Sequence, residues 1–169
     1  LGFPRLALVD GGLTAWLRLG VPLETGKASG PRVAAPLDVP RAWERVIDVA
    51  DLAPRLDEVD VLDTRTRAEY EGSDVRAKRS GRIPGSVNIN WQQNIDPETR
   101  TLEPREDLRE LYAEYLGTTR PLVLTCQSGR RSCQTWYVLK LLGRTENVYV
   151  YDGSWTEWGN REDLPIETP

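Results

Sequence analysis

The sequence predicts an α/β fold, in which a central parallel sheet is flanked by helices on both faces. Short apolar runs such as VDVLD (59–63) and PLVLTC (121–126) have the length and composition of buried strands. Segments with helical periodicity or helix-start signals separate them, most clearly at 103–116 and 132–142. Strands that alternate with helices in this way are typical of a parallel sheet buried on both sides.

The start of the chain has its own short pattern. The apolar run LALVD (6–10) predicts a buried strand, and the apolar spacing of 13–19 predicts a short helix. Gly, Ser, Ala and Pro dominate the residues that follow, and such segments seldom form regular elements. We therefore expect a linker at 26–40.

The rest of the chain alternates between the two kinds of element. Strands are predicted, from their apolar content, at 45–49, 59–63, 86–90, 121–126 and 148–151. Helices are predicted at 50–58, 66–71, 103–116 and 132–142. A polar loop rich in Arg, Lys, Ser and Gly fills 72–86.

Two of these helices have the clearest signals. The helix at 103–116 has apolar residues at helical spacing, and Pro104 stands where a first-turn proline is tolerated. In the helix at 132–142 one face is expected to be buried, and it consists of Cys133, Trp136, Tyr137 and Leu141. Gly143 is expected to end that helix.

Composition excludes several classes of function. The chain of 169 residues has no His, so catalysis that needs a His base and metal sites built on His are excluded. Its two Cys cannot form a tetrahedral zinc site, and no cofactor is indicated. The net charge of −4 argues against nonspecific nucleic-acid binding, and no apolar run is long enough for a membrane span. Low Cys usage suggests a reducing, cytoplasmic location.

The chain opens and closes on nearly the same phrase. VDGGLTAW near the start matches YDGSWTEW near the end, and Pro, Glu and Thr recur in the same order after each copy. The distance between the copies is the size of a domain and not of a solenoid repeat. We therefore expect residues 1–25 to be the tail of a preceding related domain, and 41–169 to be a whole one. The absence of Met also suggests that the chain belongs to a longer protein.

The segment TCQSGRRS (125–132) has the features of a reactive-cysteine loop. Cys126 ends an apolar strand, a Gly and two Arg follow, and a helix begins a few residues later. In a parallel sheet, sites lie beyond the carboxyl ends of the strands. Backbone N–H groups at a helix start and nearby Arg residues both favour a thiolate over a thiol. Cys126 is therefore the candidate nucleophile, whereas Cys133 has the pattern of a buried, unreactive cysteine.

The spacing of Arg from Cys126 separates two chemistries. A phosphatase-type loop needs C-x5-R, which places Arg at position 132, but that residue is Ser. Arg131 comes one residue earlier. The resulting shorter loop suits a sulfur carried on the cysteine better than a phosphoryl group.

The loop CQSGRRS resembles the C-x-x-G-x-R active-site loop of the rhodanese sulfurtransferases. VLDTRTRAEY (61–70), GRIPGSVNINW (81–91) and YDGSWTEW (151–158) are similar to other family segments and follow the family's order. VDGGLTAW resembles the end of a rhodanese domain as well. The resemblance implies the C-terminal catalytic domain of a tandem rhodanese, accompanied by an N-terminal rhodanese domain or a companion chain.

The resemblance also implies a reaction and a set of site residues. Cys126 would take a sulfane sulfur from thiosulfate or a similar anionic donor, form a persulfide, and pass the sulfur to cyanide or a thiol. The backbone N–H groups of the loop would hold the terminal sulfur, and the residues expected to bind substrate are Gln127, Ser128, Gly129, Arg130, Arg131 and Ser132. Within this set the two Arg side chains would bind the donor. Trp91 matches a pocket wall of similar enzymes, and Asp63 with Arg65 is expected to be a structural pair.

Departures from the family pattern leave alternatives open. Arg82 replaces the usual His of GHIPG, and Glu69 stands where tandem enzymes often carry a substrate-binding Arg. Arg76 and Arg82 are candidates to replace that anion contact. A loop with two Arg favours thiosulfate over 3-mercaptopyruvate, which relatives with a CGSGV-type loop use. A noncatalytic binding or regulatory module is the other alternative, although such modules usually lack the active-site Cys.

Overall fold

A computed structural model describes residues 7–27 and 45–168. The chain divides into two compact units. One consists of Leu1–Glu44 with Asp96–Leu102, and the other of Arg45–Ile95 with Glu103–Pro169. Leu6 and most of the expected linker at 26–40 lie outside the described residues.

Within residues 45–168, five strands form one parallel sheet, which confirms the predicted fold class. The strands are β1 (Val46–Ile47), β2 (Asp60–Asp63), β3 (Val87–Asn88), β4 (Leu122–Thr125) and β5 (Val148–Tyr151). Their order across the sheet is β1-β5-β4-β2-β3, so β4 lies centrally. All four residues of β4 are buried, as expected for a strand covered on both faces.

The described residues also form helices. In chain order they are α1 (Gly12–Arg18), α2 (Val49–Leu52), α3 (Arg67–Glu71), α4 (Arg105–Leu111), α5 (Ala113–Leu116), α6 (Arg130–Leu141) and α7 (Ser154–Trp158). Two 3-10 helices lie at Ala53–Glu58 and Trp91–Asn94. In the described ranges 7–27 and 45–168, no helix is long and apolar enough to cross a membrane.

The helix predicted at 103–116 is divided into α4 and α5. Tyr112 separates them, with φ and ψ of −107° and 16°. Tyr112 is fully buried, and its hydroxyl donates a hydrogen bond of 2.7 Å to Asn94. The break therefore coincides with a tertiary contact that periodicity alone does not reveal.

The prediction for the buried face of α6 is wrong. Cys133 is exposed, and so is Leu141. The residues of α6 that are buried are instead Ser132, Thr135, Val138 and Leu139. Helical periodicity failed to predict this face because two polar residues are buried. Ser132 lies beside Cys126, and Thr135 accepts a hydrogen bond from Asn94. Cys126, by contrast, is fully buried.

Among the described residues of the first unit, α1 buries none of its side chains. The helix forms as predicted, but none of its residues is buried, and Leu13, Trp16 and Leu17 are 62%, 39% and 55% exposed. Residues 7–10 of the predicted strand 6–10 do not form a strand, because no neighbouring strand of this unit pairs with them within the described residues. Asp10 instead accepts a hydrogen bond from the Leu102 backbone N–H at 2.9 Å.

Candidate active site

Cys126 lies at the carboxyl end of the central strand β4. The parallel register pairs Asp63 with Thr125, so β2 and β4 end at the same edge of the sheet. The chain turns away immediately after Thr125 and enters α6 four residues beyond Cys126. This is the edge where parallel α/β sheets place their ligands.

Gly129 makes the tight turn into α6 possible. Its φ of +77° lies in the left-handed region that favours glycine. A side-chain carbon at this position would stand 2.7 Å from Asp152 Oδ1 and 3.1 Å from the Asp152 carbonyl oxygen. Both the backbone conformation and the close approach of the β5–α7 connection therefore require Gly.

Ser154 supports the loop from below. Its Oγ accepts hydrogen bonds from the backbone N–H groups of Cys126 and Gly129, at 3.2 and 3.0 Å. The Ser154 hydroxyl donates in turn to the Tyr151 carbonyl oxygen at 2.7 Å. Ser154 is fully buried, so these bonds fix the start of the loop on the end of β5. The N–H of Gly129 is thereby committed to Ser154 and does not point at the sulfur.

The Cys126 sulfur lies close to donor groups of the loop. Burial raises the pKa of its thiol, but the nearby Ser132 hydroxyl and the backbone N–H groups of Ser132, Ser128 and Arg131 outweigh burial. The net effect lowers the pKa of Cys126 below its ordinary value. Cys133 is exposed, but partial desolvation of its thiol and the nearby negative charge of Cys126 raise its pKa instead. Of the two cysteines, the local structure therefore stabilises the thiolate of Cys126.

The carboxylate of Glu69 binds both terminal nitrogens of the Arg131 guanidinium. Its Nη1 lies 2.7 Å from Glu69 Oε2 and its Nη2 lies 2.8 Å from Glu69 Oε1. Glu69 is 1% exposed, and its carboxylate also accepts bonds from the Thr66 N–H and hydroxyl in a capping box at the start of α3. Burial raises the pKa of Glu69, but the bonds from Arg131 and Thr66 lower it to about 2. Glu69, and to a smaller extent the nearby Cys126 thiolate, raise the pKa of Arg131.

The other candidate cations differ in their surroundings. Arg130 is exposed and has no acidic partner within 4.0 Å among the described residues. Arg76 pairs with Asp74 at 2.6 Å, and its Nη1 lies 3.5 Å from Glu69 Oε1. Arg82 lies elsewhere: it pairs with Glu167 and stacks over the ring of Tyr70.

A cavity of about 640 Å³ opens beside the loop. It is lined by Thr66, Glu69, Arg76, Trp91, Gln92, Gln127, Ser128, Arg130, Arg131 and Gln134. Six of the residues that the sequence proposed for the site therefore share one cavity: Arg76, Trp91, Gln127, Ser128, Arg130 and Arg131. Gly129 and Ser132 are buried with Cys126 behind this wall, and Arg82 does not line the cavity.

Comparison with known protein families gives a match over most of the chain. Residues 48–161 match the family model of the rhodanese-like domain. The chain belongs to this family. The match contains all the strands except β1, and also Cys126, Glu69 and Ser154.

Several thiosulfate sulfurtransferases are relatives of this rhodanese-like chain. It is 38% identical to the thiosulfate sulfurtransferase of Azotobacter vinelandii over 176 residues, and 35% identical to that of Pseudomonas aeruginosa over 176 residues. Each alignment covers 99% of this chain and 61% of the relative. The sulfur carrier protein TtuD of Thermus thermophilus is 36% identical, over 98% of this chain and 62% of that protein. The chain thus spans about three fifths of these relatives.

A solved structure shares the rhodanese-like fold. Wild-type EanB superimposes with a TM-score of 0.76 at 24% identity, over 95% of this chain and 40% of EanB. At this identity the likeness concerns the fold alone.

The sequence does not predict the roles of several site residues. Glu69 is visible there only as a departure from the family pattern, and Ser154 only as part of YDGSWTEW. No sequence pattern assigns Thr66, Gln92 or Gln134 to the site. A capping-box pattern at Thr66 and Glu69 is visible in the sequence, but it indicates a helix start and not a partner for Arg131. The expected structural pair is observed: Arg65 Nη2 lies 2.6 Å from Asp63 Oδ2, and both are 1% exposed.

Proposed function

We propose that this chain is the catalytic domain of a sulfurtransferase that moves a sulfane sulfur from thiosulfate to a thiophilic acceptor. The observation that carries the proposal is Cys126, which follows the central strand β4 in a tight loop and whose pKa the donor groups of that loop lower in spite of burial. The names of the relatives support the same activity. A noncatalytic module needs no such stabilised thiolate.

In the first half-reaction, the Cys126 thiolate attacks the outer sulfur of thiosulfate. A bond forms between Cys126 Sγ and that sulfur, while the sulfur–sulfur bond of thiosulfate breaks. Its electron pair leaves with sulfite, so no proton, oxidant or reductant is required. The loop N–H groups that stabilise the thiolate are placed to stabilise the negative charge of the persulfide as well.

In the second half-reaction, cyanide or a thiolate attacks the terminal sulfur of the persulfide. The new bond forms to that sulfur, and the bond to Cys126 breaks with its electron pair staying on Cys126. The products are thiocyanate or an acceptor persulfide, together with the regenerated Cys126 thiolate. Each half-reaction therefore converts one sulfur anion on Cys126, the thiolate or the persulfide, into the other.

Arg130 and Arg131 have different roles in this proposal. Both were expected to bind the donor, but the two Nη groups of Arg131 already bond Glu69. Arg131 therefore stabilises the sulfur, whereas Arg130 and Arg76 line the cavity and attract the anionic donor. We keep Arg82 out of the site because it pairs with Glu167. Thiosulfate, with two negative charges, is favoured over 3-mercaptopyruvate as the donor.

Steady-state transfer from thiosulfate to cyanide tests the proposal. We expect thiocyanate to form with the wild-type chain and with Cys133→Ala, and not with Cys126→Ser. Cys133→Ala is the matched control because it removes the other thiol, which is exposed on α6. A chain that binds thiosulfate but forms no thiocyanate would support the binding-module alternative. Faster turnover with 3-mercaptopyruvate than with thiosulfate would reverse the donor assignment.

We further propose that residues 1–25 belong to a preceding rhodanese domain, present in the same protein or on a companion chain, with a linker at 26–40. The repeat of VDGGLTAW in YDGSWTEW supports this. The later copy buries Trp158 completely, whereas Trp16 is 39% exposed. Hydrogen exchange of residues 12–18 should slow when the preceding domain is supplied. Unchanged exchange would contradict the proposal.

The chemistry needs a reduced thiol, so we place the protein in the cytoplasm.

A further inference from the structure

Gln134 forms a part of the cavity wall that the proposed chemistry does not use. It lies one helical turn after Arg130 on α6, and both residues line the cavity. The Oε1 of Gln134 accepts a hydrogen bond of 2.9 Å from Asn94 Nδ2. The Nε2 of Gln134 has no hydrogen-bond partner among the described residues. The terminal amide therefore has one end held by the protein and a donor left over at the other.

The orientation of Gln134 is set through a chain of buried groups. Asn94 is fully buried at the end of the 3-10 helix that carries Trp91 and Gln92. Its Oδ1 accepts a bond of 2.7 Å from the hydroxyl of Tyr112, which turns its Nδ2 towards Gln134. Burial raises the pKa of Tyr112 to about 12, so its hydroxyl stays a donor at physiological pH. The series Tyr112–Asn94–Gln134 thus fixes which end of the Gln134 amide is free.

The cavity is much larger than the proposed donor and cyanide require. Its volume of about 640 Å³ lies in the range of about 300–1,000 Å³ of cavities that bind ligands of drug size. Thiosulfate and cyanide consist of only a few atoms and would occupy a small part of it. The lining includes the indole of Trp91, the amides of Gln92 and Gln134, and the Arg130 cation. Such a wall suits an organic molecule with carbonyl or carboxylate groups.

We propose that Gln134 is a specificity-determining residue for the acceptor, and that the acceptor is a peptide-sized thiol bearing carboxylate or carbonyl oxygens. This inference rests on the sulfur transfer proposed above. Gln134 Nε2 donates to an oxygen of the thiol while the thiol sulfur bonds the terminal sulfur and the bond to Cys126 breaks. Nε2 is covered in this structure, so the contact requires a small shift of the side chains around Nε2 while Oε1 keeps its bond to Asn94. Tyr112 and Asn94 are positioning residues that act through Gln134.

The test compares two acceptors with one donor. Thiosulfate supplies the sulfur, and the acceptor is either cyanide or the tripeptide thiol glutathione. Gln134→Leu keeps the approximate volume and removes the amide. We expect KM for glutathione to rise roughly threefold to tenfold, as for the loss of one neutral hydrogen bond, with KM for cyanide unchanged. Gln134→Glu should raise KM for glutathione further, because a carboxylate cannot donate and repels the acceptor's carboxylates.

A double-mutant cycle tests whether Tyr112 acts through Gln134. Tyr112→Phe should raise KM for glutathione in the wild-type background and leave it unchanged in the Gln134→Leu background. A purely structural effect of Tyr112 would instead be the same in both backgrounds and would also change the cyanide reaction. Gln93→Leu is the matched control, because Gln93 is an exposed Gln of the same 3-10 helix that does not line the cavity. We expect it to change neither KM.

The possible failures are distinct. Equal KM values for glutathione in wild type and Gln134→Leu would overturn the assignment of Gln134, and so would a parallel rise for both acceptors. Normal transfer to cyanide in those variants would leave the proposed function standing. If the wild type transfers no sulfur to cyanide either, the proposed function fails first. A variant that loses its fold is recognised because the cyanide reaction is lost as well, and the volume-conserving Gln134→Met then replaces it.

Discussion

Arg131 and Glu69 form a two-bond ion pair, with N–O distances of 2.7 and 2.8 Å, although 62 positions separate them in the sequence. Glu69 lies in the first turn of α3, the helix after β2, and Arg131 lies in the first turn of α6, the helix after β4. The two strands are neighbours, so the pair joins the helix starts above the carboxyl edge of the sheet. Because the Cys126 thiolate also contributes to the raised pKa of Arg131, Glu69 orients a cation near the sulfur without touching it.

Removing the charge of Glu69 should therefore weaken the position of Arg131 in the loop after β4. We expect Glu69→Gln to reduce kcat for sulfur transfer more than it changes the donor KM. The free energy of unfolding should fall by about 1–3 kcal/mol, because a buried bond to a charged group is lost. Denaturant unfolding and steady-state kinetics measure the two effects. Glu71→Gln is the control, since Glu71 pairs with Arg67 at the exposed end of the same helix.

The same pair predicts a pH dependence of stability. The pKa of Glu69 falls from an ordinary 4.5 to about 2 on folding, so its ionised form stabilises the folded state. That contribution is complete above the ordinary pKa and is lost as the pH falls towards 2. The difference in unfolding free energy between wild type and Glu69→Gln should thus be constant near neutral pH and shrink between about pH 4.5 and 2. A difference that does not change over that range would contradict this assignment.

The titration of the two thiols should differ in direction. Hydrogen bonds lower the pKa of Cys126, and burial raises that of Cys133. Variants with a single cysteine separate them: Cys133→Ser reports on Cys126, and Cys126→Ser reports on Cys133. Thiolate absorbance should appear at lower pH in the first variant. The opposite order would show that the loop does not stabilise the thiolate.

Only part of the site could be predicted from the sequence. Cys126 was predictable because it ends an apolar strand and because a Gly and two Arg follow it within five residues. The inward face of α6 was not, because Ser132 and Thr135 are polar and a periodicity rule assigns them to the surface. The role of Arg131 was not predictable either, since its partner belongs to a distant segment and only the folded sheet brings the two together.

Ser154 offers a test of the loop's support. Ser154→Ala removes the acceptor for two buried N–H groups, those of Cys126 and Gly129. We expect a loss of about 1–3 kcal/mol in unfolding free energy and a clear fall in kcat, since the loop loses its anchor on β5. Ser73→Ala is the control, because Ser73 is exposed in the loop after α3 and its hydroxyl donates to the backbone carbonyl of Ala68. Full activity of Ser154→Ala would mean that the loop is held by other contacts.

Arg130 should act on the donor alone. Arg130→Ala is expected to raise the KM for thiosulfate by roughly tenfold, and the effect should weaken at high salt because the side chain is exposed. The pKa of Cys126 should stay the same in this variant. Arg105→Ala removes an equally exposed charge from α4 and should leave the donor KM unchanged. A change of thiol pKa in Arg130→Ala would show that Arg130, and not only Arg131, contacts the sulfur.

The central claim is that the transferred sulfur is carried on Cys126. The most direct measurement uses thiosulfate labelled in its outer sulfur, followed by peptide mapping of the protein by mass spectrometry before any acceptor is added. The account predicts one labelled sulfur atom on the peptide that contains Cys126, none on the peptide that contains Cys133, and complete loss of the label as thiocyanate when cyanide is added. Label on Cys133, or thiocyanate formed by a protein that never carries the label, would contradict it.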